Sequence, residues 1–262
     1  MRNSRILAVS LMALPIAMTA RPAAAAEENM AAGAATGDNI IVTATKKVGT
    51  FGVQETPVAI TAFGQSSLEN GHVTAISDLT GQIPNVFLNT SETIHGVNNF
   101  SIRGMAVYDT IPSNTPTVGI FVDGIYVGAS AASALSTFDN ASIEVLRGPQ
   151  GLLFGRNVTA GAILVNTSNP SADLKVNAQA SIESGPNFTE SVVVSGPLTS
   201  DDSLRGKLAI FRDDDEGWFT NTFDGKKFGK SHTTIVRAAL AYAPAGVFNS
   251  TLKYEHGEMH GQ

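Results

Sequence analysis

The sequence predicts an α/β domain, a small mixed sheet with short helices, followed by an incomplete antiparallel transmembrane β-barrel of about five strands. Three observations predict it. Short strand, helix and turn signals alternate between Val58 and Val165. Beyond Pro170 the pattern changes to period-two alternation without helical signals. The amino terminus reads as an export signal, which sends the chain out of the cytoplasm.

That signal is assigned to residues 1–26. Arg2 and Arg5 are followed by a mostly apolar run from Ile6 to Ala20, then Arg21, Pro22 and the alanines Ala23 to Ala26, ahead of Glu27 and Glu28. A basic start, a short apolar core and small residues at the end are the marks of a cleaved leader. The run is too short, and too broken by Pro15, to be a membrane-spanning helix. No later stretch is long and apolar enough to form one, although β-strands would escape such a test. The chain has no cysteine, which excludes a disulfide-stapled fold, thiolate metal sites and a cysteine nucleophile. A formal charge of −6 argues against nucleic acid as a partner.

Residues 27–55 read as a flexible tail rich in Ala, Gly and polar residues. It contains one β-prone run, Ile40-Ile41-Val42-Thr43-Ala44-Thr45. Taken alone, that run is either an edge strand of the next domain or a segment that adds as a strand to a partner's sheet.

Residues 56–170 form the α/β domain. Val58 to Phe63 reads as a strand. Ser66 or Ser67 caps a short helix containing Leu68 and stopped by Gly71. Ala75 to Gln82 reads as a second short helix, ended before Pro84. Phe100 to Arg103 is a strand closed by Gly104. Val118 to Val122 and Ile125 to Val127 flank Asp123-Gly124, a strong hairpin signal. Ile143 to Leu146 and Ala162 to Val165 are further strands. Between them lies the glycine-rich loop Gly148 to Asn157. It lacks the Gly-Lys-Ser/Thr ending of a phosphate loop and reads as a tight structural turn.

Residues 171–262 carry the alternating strands. Leu174, Val176, Ala178, Ala180 and Ile182 alternate with polar neighbours. Val192 and Val194 follow, then Leu204, Leu208 and Ile210 against Arg205 and Lys207. Val236, Ala238, Leu240 and Tyr242 oppose Arg237, Ala239 and Ala241, and Phe248, Leu252 and Tyr254 complete the set. A soluble β-sandwich alternates too. The small, polar second face suits a wet barrel interior, and Tyr242 and Tyr254, placed near strand ends, suit an interfacial girdle. Asp213 to Gly217 reads as a solvated turn, lacking the glycine and glutamate of a calcium loop. His256 and His260 fall in a strand, where residues four apart lie about 13 Å apart, too far for a shared zinc. Nothing points to a catalytic residue, a resident metal or a cofactor, so no enzyme is expected.

Taken in order, the motifs resemble those of the TonB-dependent outer-membrane receptors. Ile40 to Thr45 is similar to the Ton box. Thr56-Pro57-Val58-Ala59-Ile60 resembles the opening strand of the plug domain, and Asp78-Leu79 with Ile83-Pro84-Asn85 the helix and turn after it. Ser101-Ile102-Arg103-Gly104-Met105 resembles the arginine-glycine strand end, and Val118 to Tyr126 the hairpin. Ile143-Glu144-Val145-Leu146-Arg147-Gly148-Pro149-Gln150-Gly151 with Phe154-Gly155-Arg156-Asn157 resembles the family's most recognisable motif. Leu153-Phe154 and Ala160-Gly161-Ala162-Ile163 depart mildly from the usual pattern.

The resemblance implies a plug domain inside a barrel of about 22 strands. It also implies outer-membrane localisation and energy-coupled uptake of a scarce ligand, a ferric siderophore being the commonest cargo. Expected partners are periplasmic TonB, by strand addition at Ile40, Ile41, Val42, Thr43, Ala44 and Thr45; outer-membrane lipid; and a small-molecule or metal-chelate ligand. Arg103, Glu144, Arg147 and Arg156 are expected as plug–barrel structural positions, with Glu144 or Asp123 compensating the arginines within the plug. Ser91, Asn98, Tyr108 and Asn114 are the candidate ligand positions. About five strands cannot close a barrel, and the terminal aromatic strand of the family is missing from Met259-His260-Gly261-Gln262. The expectation is therefore the amino-terminal part of a receptor, not transport-competent alone. The alternative is a non-transporting plug-type binding module or the product of a decayed receptor gene.

Overall fold

The computed structural model describes residue 43 and residues 57–71, 73–90, 98–107, 115–128, 137–184, 187–217, 219–244 and 248–261. The expected signal at 1–26 lies outside them, as does the expected tail apart from Thr43.

The α/β domain is built on a five-stranded mixed sheet. Its strands are β1 (Ile60–Gly64), β4 (Val118–Val122), β5 (Ile125–Tyr126), β6 (Asn140–Arg147) and β7 (Gly161–Thr167), in the spatial order β1-β6-β7-β4-β5. Only the β4–β7 pair is parallel. A separate hairpin joins β2 (Val86–Thr90) to β3 (Asn98–Ile102). Asp123 and Gly124 both take positive φ, 48° and 82°, the pair of left-handed residues a two-residue hairpin turn between β4 and β5 requires.

Alternation divides the sheet into two faces. Phe63, Ile143, Val145, Ile163, Val165 and Ile120 point to one side, where Leu68, Ile76, Leu79, Leu88 and Ile102 cover them. This is the main core. The other side carries Ile60, Leu146, Ala162, Leu164 and Phe121, packed with Val158 and Phe154. Its continuation along the strands turns polar at Ser142, Glu144 and Asn166, which share that side by register.

Several local expectations need correction. The first helix, α1 (Gln65–Asn70), is capped by Gly64 without a side-chain hydrogen bond, not by a serine, and Gly71 ends it at an ordinary negative φ. The second helix shrinks to a 3-10 turn over Ile76–Leu79, because the Asp78 carboxylate accepts from the backbone N–H groups of Thr74 and Ala75 and tightens the turn. The glycine-rich loop contains a one-turn helix, α2 (Gly151–Phe154).

After the α/β domain come five long antiparallel strands: β8 (Lys175–Glu183), β9 (Asn187–Pro197), β10 (Leu204–Asp215), β13 (Ser231–Tyr242) and β14 (Ser250–Gly261). Their order is β14-β13-β10-β9-β8, an open meander, with the small hairpin β11 (Phe219–Thr220) and β12 (Lys227–Phe228) between β10 and β13. Asp213 to Asp215 are part of β10 and not a turn, because they pair with both β9 and β13. Tyr242 closes β13, but Tyr254 sits inside β14 opposite Ala238, away from a strand end.

The alternation resolves into two surfaces. Val176, Val192, Val194, Leu208, Ile210, Leu240 and Leu252 are exposed on the outer face. Lys207, Ala209, Phe211, Thr233, Ile235, Arg237 and Ala239 are buried on the inner face, against the α/β domain. An apolar exterior and a mixed polar interior are the pattern of a membrane barrel wall.

Candidate functional site

Among the described residues, two places concentrate the buried polar chemistry: the seam between the α/β domain and the strands, and a notch on the second face of the domain's sheet.

At the seam the strands supply cations and the domain supplies acceptors. Lys207 of β10 lies 2.5 Å from the Asp139 carboxylate, with only 2% and 1% of the two side chains exposed. The same ammonium donates to the backbone oxygen and, at 3.1 Å, to the hydroxyl of Ser168. All three of its protons therefore find acceptors, which a buried ammonium needs to be tolerated. Lys253 of β14 reaches Asp123 at 2.9 Å and the Thr167 carbonyl and hydroxyl at 3.1 and 2.9 Å. Arg237 of β13 donates to the Phe138 carbonyl at 2.6 Å, to Asn140 at 3.3 Å and to Glu255 at 2.5 Å. Its guanidinium also lies 4.4 Å from the Phe138 ring centre. Phe138 in turn stacks on Phe211 at 5.0 Å. Cation–π contact and stacking add to the charge pairing here.

The expected structural positions are arranged differently. Asp123 serves Lys253 and Thr167, so it is not the counter-ion of the arginines. Glu144 and Arg147 alternate to opposite faces of β6, which takes Glu144 away from Arg147. The Arg147 Nη1 donates to the Pro84 carbonyl at 3.4 Å, while its Nε is buried without a hydrogen-bond partner among the described residues. Arg103 is exposed, at a strand end with φ of 55°. Arg156 is exposed too, beside Asn157, whose amide donates to the Tyr126 hydroxyl at 2.8 Å. The ion pairs of the seam use Lys207, Arg237 and Lys253 instead. Alternation marks Lys207 and Arg237 as inner-face residues, yet nothing local marks their acceptors.

In the notch, Thr43 meets Glu144. The Thr43 backbone N–H donates to both carboxylate oxygens, at 3.0 and 3.2 Å, and its hydroxyl donates at 2.8 Å. The Asn166 amide donates to Glu144 at 3.0 Å, to Ser142 at 2.9 Å and to the Thr43 hydroxyl at 3.2 Å. Glu144 is fully buried. Ile40, Ile41, Val42, Ala44 and Thr45 lie outside the described residues. So do Ser91, Tyr108 and Asn114 of the candidate ligand positions; Asn98 starts β3, opposite Thr90.

With this geometry in view, residues 52–162 match the family model of the TonB-dependent receptor plug domain. The ferripyoverdine receptor of Pseudomonas aeruginosa is 29% identical over 178 residues, covering 66% of this chain and 20% of that protein. The pesticin receptor of Yersinia pestis is 27% identical over 207 residues, covering 78% of this chain and 30% of that protein. The chain thus spans less than a third of the length of these relatives. Among solved structures, the ferric yersiniabactin uptake receptor FyuA from Yersinia pestis superposes with a TM-score of 0.69 at 24% identity, over 78% of this chain and 32% of that one. The pyoverdine outer membrane receptor FpvA from Pseudomonas aeruginosa, bound to pyoverdine, gives 0.68 at 19% identity, over 83% and 30%. Both superpositions extend beyond the plug, so the shared fold includes the strands that follow it. Residues 52–162 are thus a TonB-dependent receptor plug domain, and the relatives and solved structures that the chain resembles, in the plug and in the strands after it, are outer-membrane receptors of that kind.

Proposed function

We propose that the chain is the plug and first barrel strands of a receptor for energy-coupled uptake of a ferric siderophore. What supports this most is the joint match of plug and strands to proteins named as ferripyoverdine and ferric yersiniabactin receptors. In this reading a ligand binds from the outer side. The segment 40–45 is then taken up by periplasmic TonB as an added strand, and force derived from the inner-membrane proton gradient rearranges the plug. Ser91, Asn98, Tyr108 and Asn114 face the ligand. The described strands form an open sheet with edges at β8 and β14. Such a sheet does not enclose a pore, so transport needs further strands.

The test is uptake of radiolabelled ferric siderophores by cells that lack their own receptors and carry the reading frame with its downstream DNA. Uptake that disappears on deletion of TonB is the expected result. A stop codon directly after Gln262, with a stable product that binds but does not transport, would instead favour the plug-type binding module.

A further inference from the structure

Three of the chain's five histidines, His232, His256 and His260, share one patch of the outer face of β13 and β14. We propose that His232, Glu258 and His260 form a site for a divalent transition-metal ion, which staples β13 to β14 on the side away from the plug.

Three observations carry the inference. First, register brings the donors together. His232 lies directly opposite His260, where the Cβ atoms of adjacent strands stand about 4.5–5.5 Å apart. Glu258 is two residues before His260 and shares its face. His256 and His260 are too far apart along β14 to share an ion, but the neighbouring strand supplies His232 instead. Second, Glu258 and His260 leave a gap of suitable width. The Glu258 Oε2 is 3.9 Å from His260 Nε2, too long for a hydrogen bond. Two ligands held about 2.1 Å from a tetrahedral zinc stand about 3.4 Å apart, so an ion between them needs only a small closure. Third, neighbouring side chains already orient the ligands. The His232 Nδ1 lies 2.9 Å from the Asp214 carboxylate, which can only accept. The ring proton therefore sits on Nδ1, and Nε2 keeps its lone pair for a metal. The His256 Nε2 holds the other oxygen of Glu258, Oε1, at 3.3 Å.

Two imidazoles and one carboxylate suit zinc, copper or nickel rather than calcium or magnesium. The site is open to water. The three side chains are 47%, 63% and 78% exposed in chain order. The apolar row of Val192, Ile210 and Val236 has by then given way to Glu190, Arg212 and Thr234. Among the described residues no three such donors already surround one point. The shell closes when the exposed rings of His232 and His260 turn toward Glu258 Oε2, a rotation that solvent-exposed side chains make readily.

The test is calorimetric titration of the detergent-folded chain with zinc chloride. One ion per chain is expected, with binding lost below about pH 6, where the imidazoles hold protons. His232→Gln and His260→Gln should each weaken binding by about tenfold or more, and Asp214→Asn by about tenfold. His72→Gln and His95→Gln should leave it unchanged. Where a variant fails to fold, the imidazole NMR resonances of the wild-type chain decide. Zinc should shift those of His232 and His260 and leave those of His72 and His95 in place. No binding at millimolar zinc, unchanged affinity in His260→Gln, or equal affinity for calcium would overturn the site.

Discussion

Lys207 and Asp139 form an ion pair shut away from solvent, at 2.5 Å, between a barrel strand and the plug. The wall brings the cation and the plug brings the carboxylate, and the same holds for Lys253 with Asp123.

Removing one partner of such a pair strands a buried charge, at a cost of about 3–5 kcal/mol. Lys207→Met should therefore loosen the plug from the strands, while Lys207→Met combined with Asp139→Asn should recover part of the loss. Protease nicking of the folded chain between the plug and β8 measures this. Equal resistance in wild type and Lys207→Met would refute it.

Gly161 opens β7 where a Cβ would stand 2.2 Å from the Leu146 carbonyl oxygen and 2.8 Å from the Ile102 side chain. Gly161→Ala should destabilise the plug by about 1–3 kcal/mol through overpacking. Urea unfolding followed on the plug should show a lower midpoint.

The outer face offers an orientation test. Leu208 and Ile210 are exposed there, flanking the buried Ala209. Ile210→Arg on a lipid-facing strand should cost about 2–4 kcal/mol near the bilayer midplane. Partition of the chain between lipid vesicles and buffer should fall for Ile210→Arg. Ile210→Val should leave it unchanged.

The connection between β10 and β13 carries a pH-sensitive pair. The Lys230 ammonium donates to Glu216 at 2.6 Å and holds its carboxyl below the usual glutamate range. A depressed folded-state value means that the pair's contribution is complete above the unfolded pKa and is lost as pH falls through the lowered one. The pair is half-buried and still reached by solvent, so the effect is local. An NMR titration should find Glu216 titrating at a lower pH than an ordinary glutamate, and Lys230→Met should return it to the ordinary range.

The strands were legible because alternation is a local property. Val192, Val194, Leu208, Ile210, Leu240 and Leu252 announce an outer face by their spacing alone. The hairpin at Asp123-Gly124 was legible for a similar reason, since its turn needs two left-handed residues. Val86 to Thr90 escaped notice as a strand. It is a five-residue run with Val86 and Leu88 buried and Phe87 exposed, and its partner β3 lies beyond a long connection. The seam was legible only by half. Lys207 could be placed on the inner face, but its acceptor is 68 residues away and no spacing reveals it. Arg103 and Arg147 were marked by motif, yet a motif names a residue without naming its counter-ion. Thr43 and Glu144 were singled out separately, for different roles, and only the folded chain puts one against the other.

Lys207 and Lys253 stand in one transverse row of the inner face, with Ala239 between them. Two strand spacings separate them, about 10 Å. Arg237 stands one step along, opposite Ala209. Three fixed cations that are not collinear, each met by its own acceptor on the plug, do what a key does in a keyway. A single contact would let the plug swivel about it, and two would let it hinge on the line between them. Three index its angle against the wall, so the plug can leave its seat only by breaking all three together or by parting elsewhere within itself.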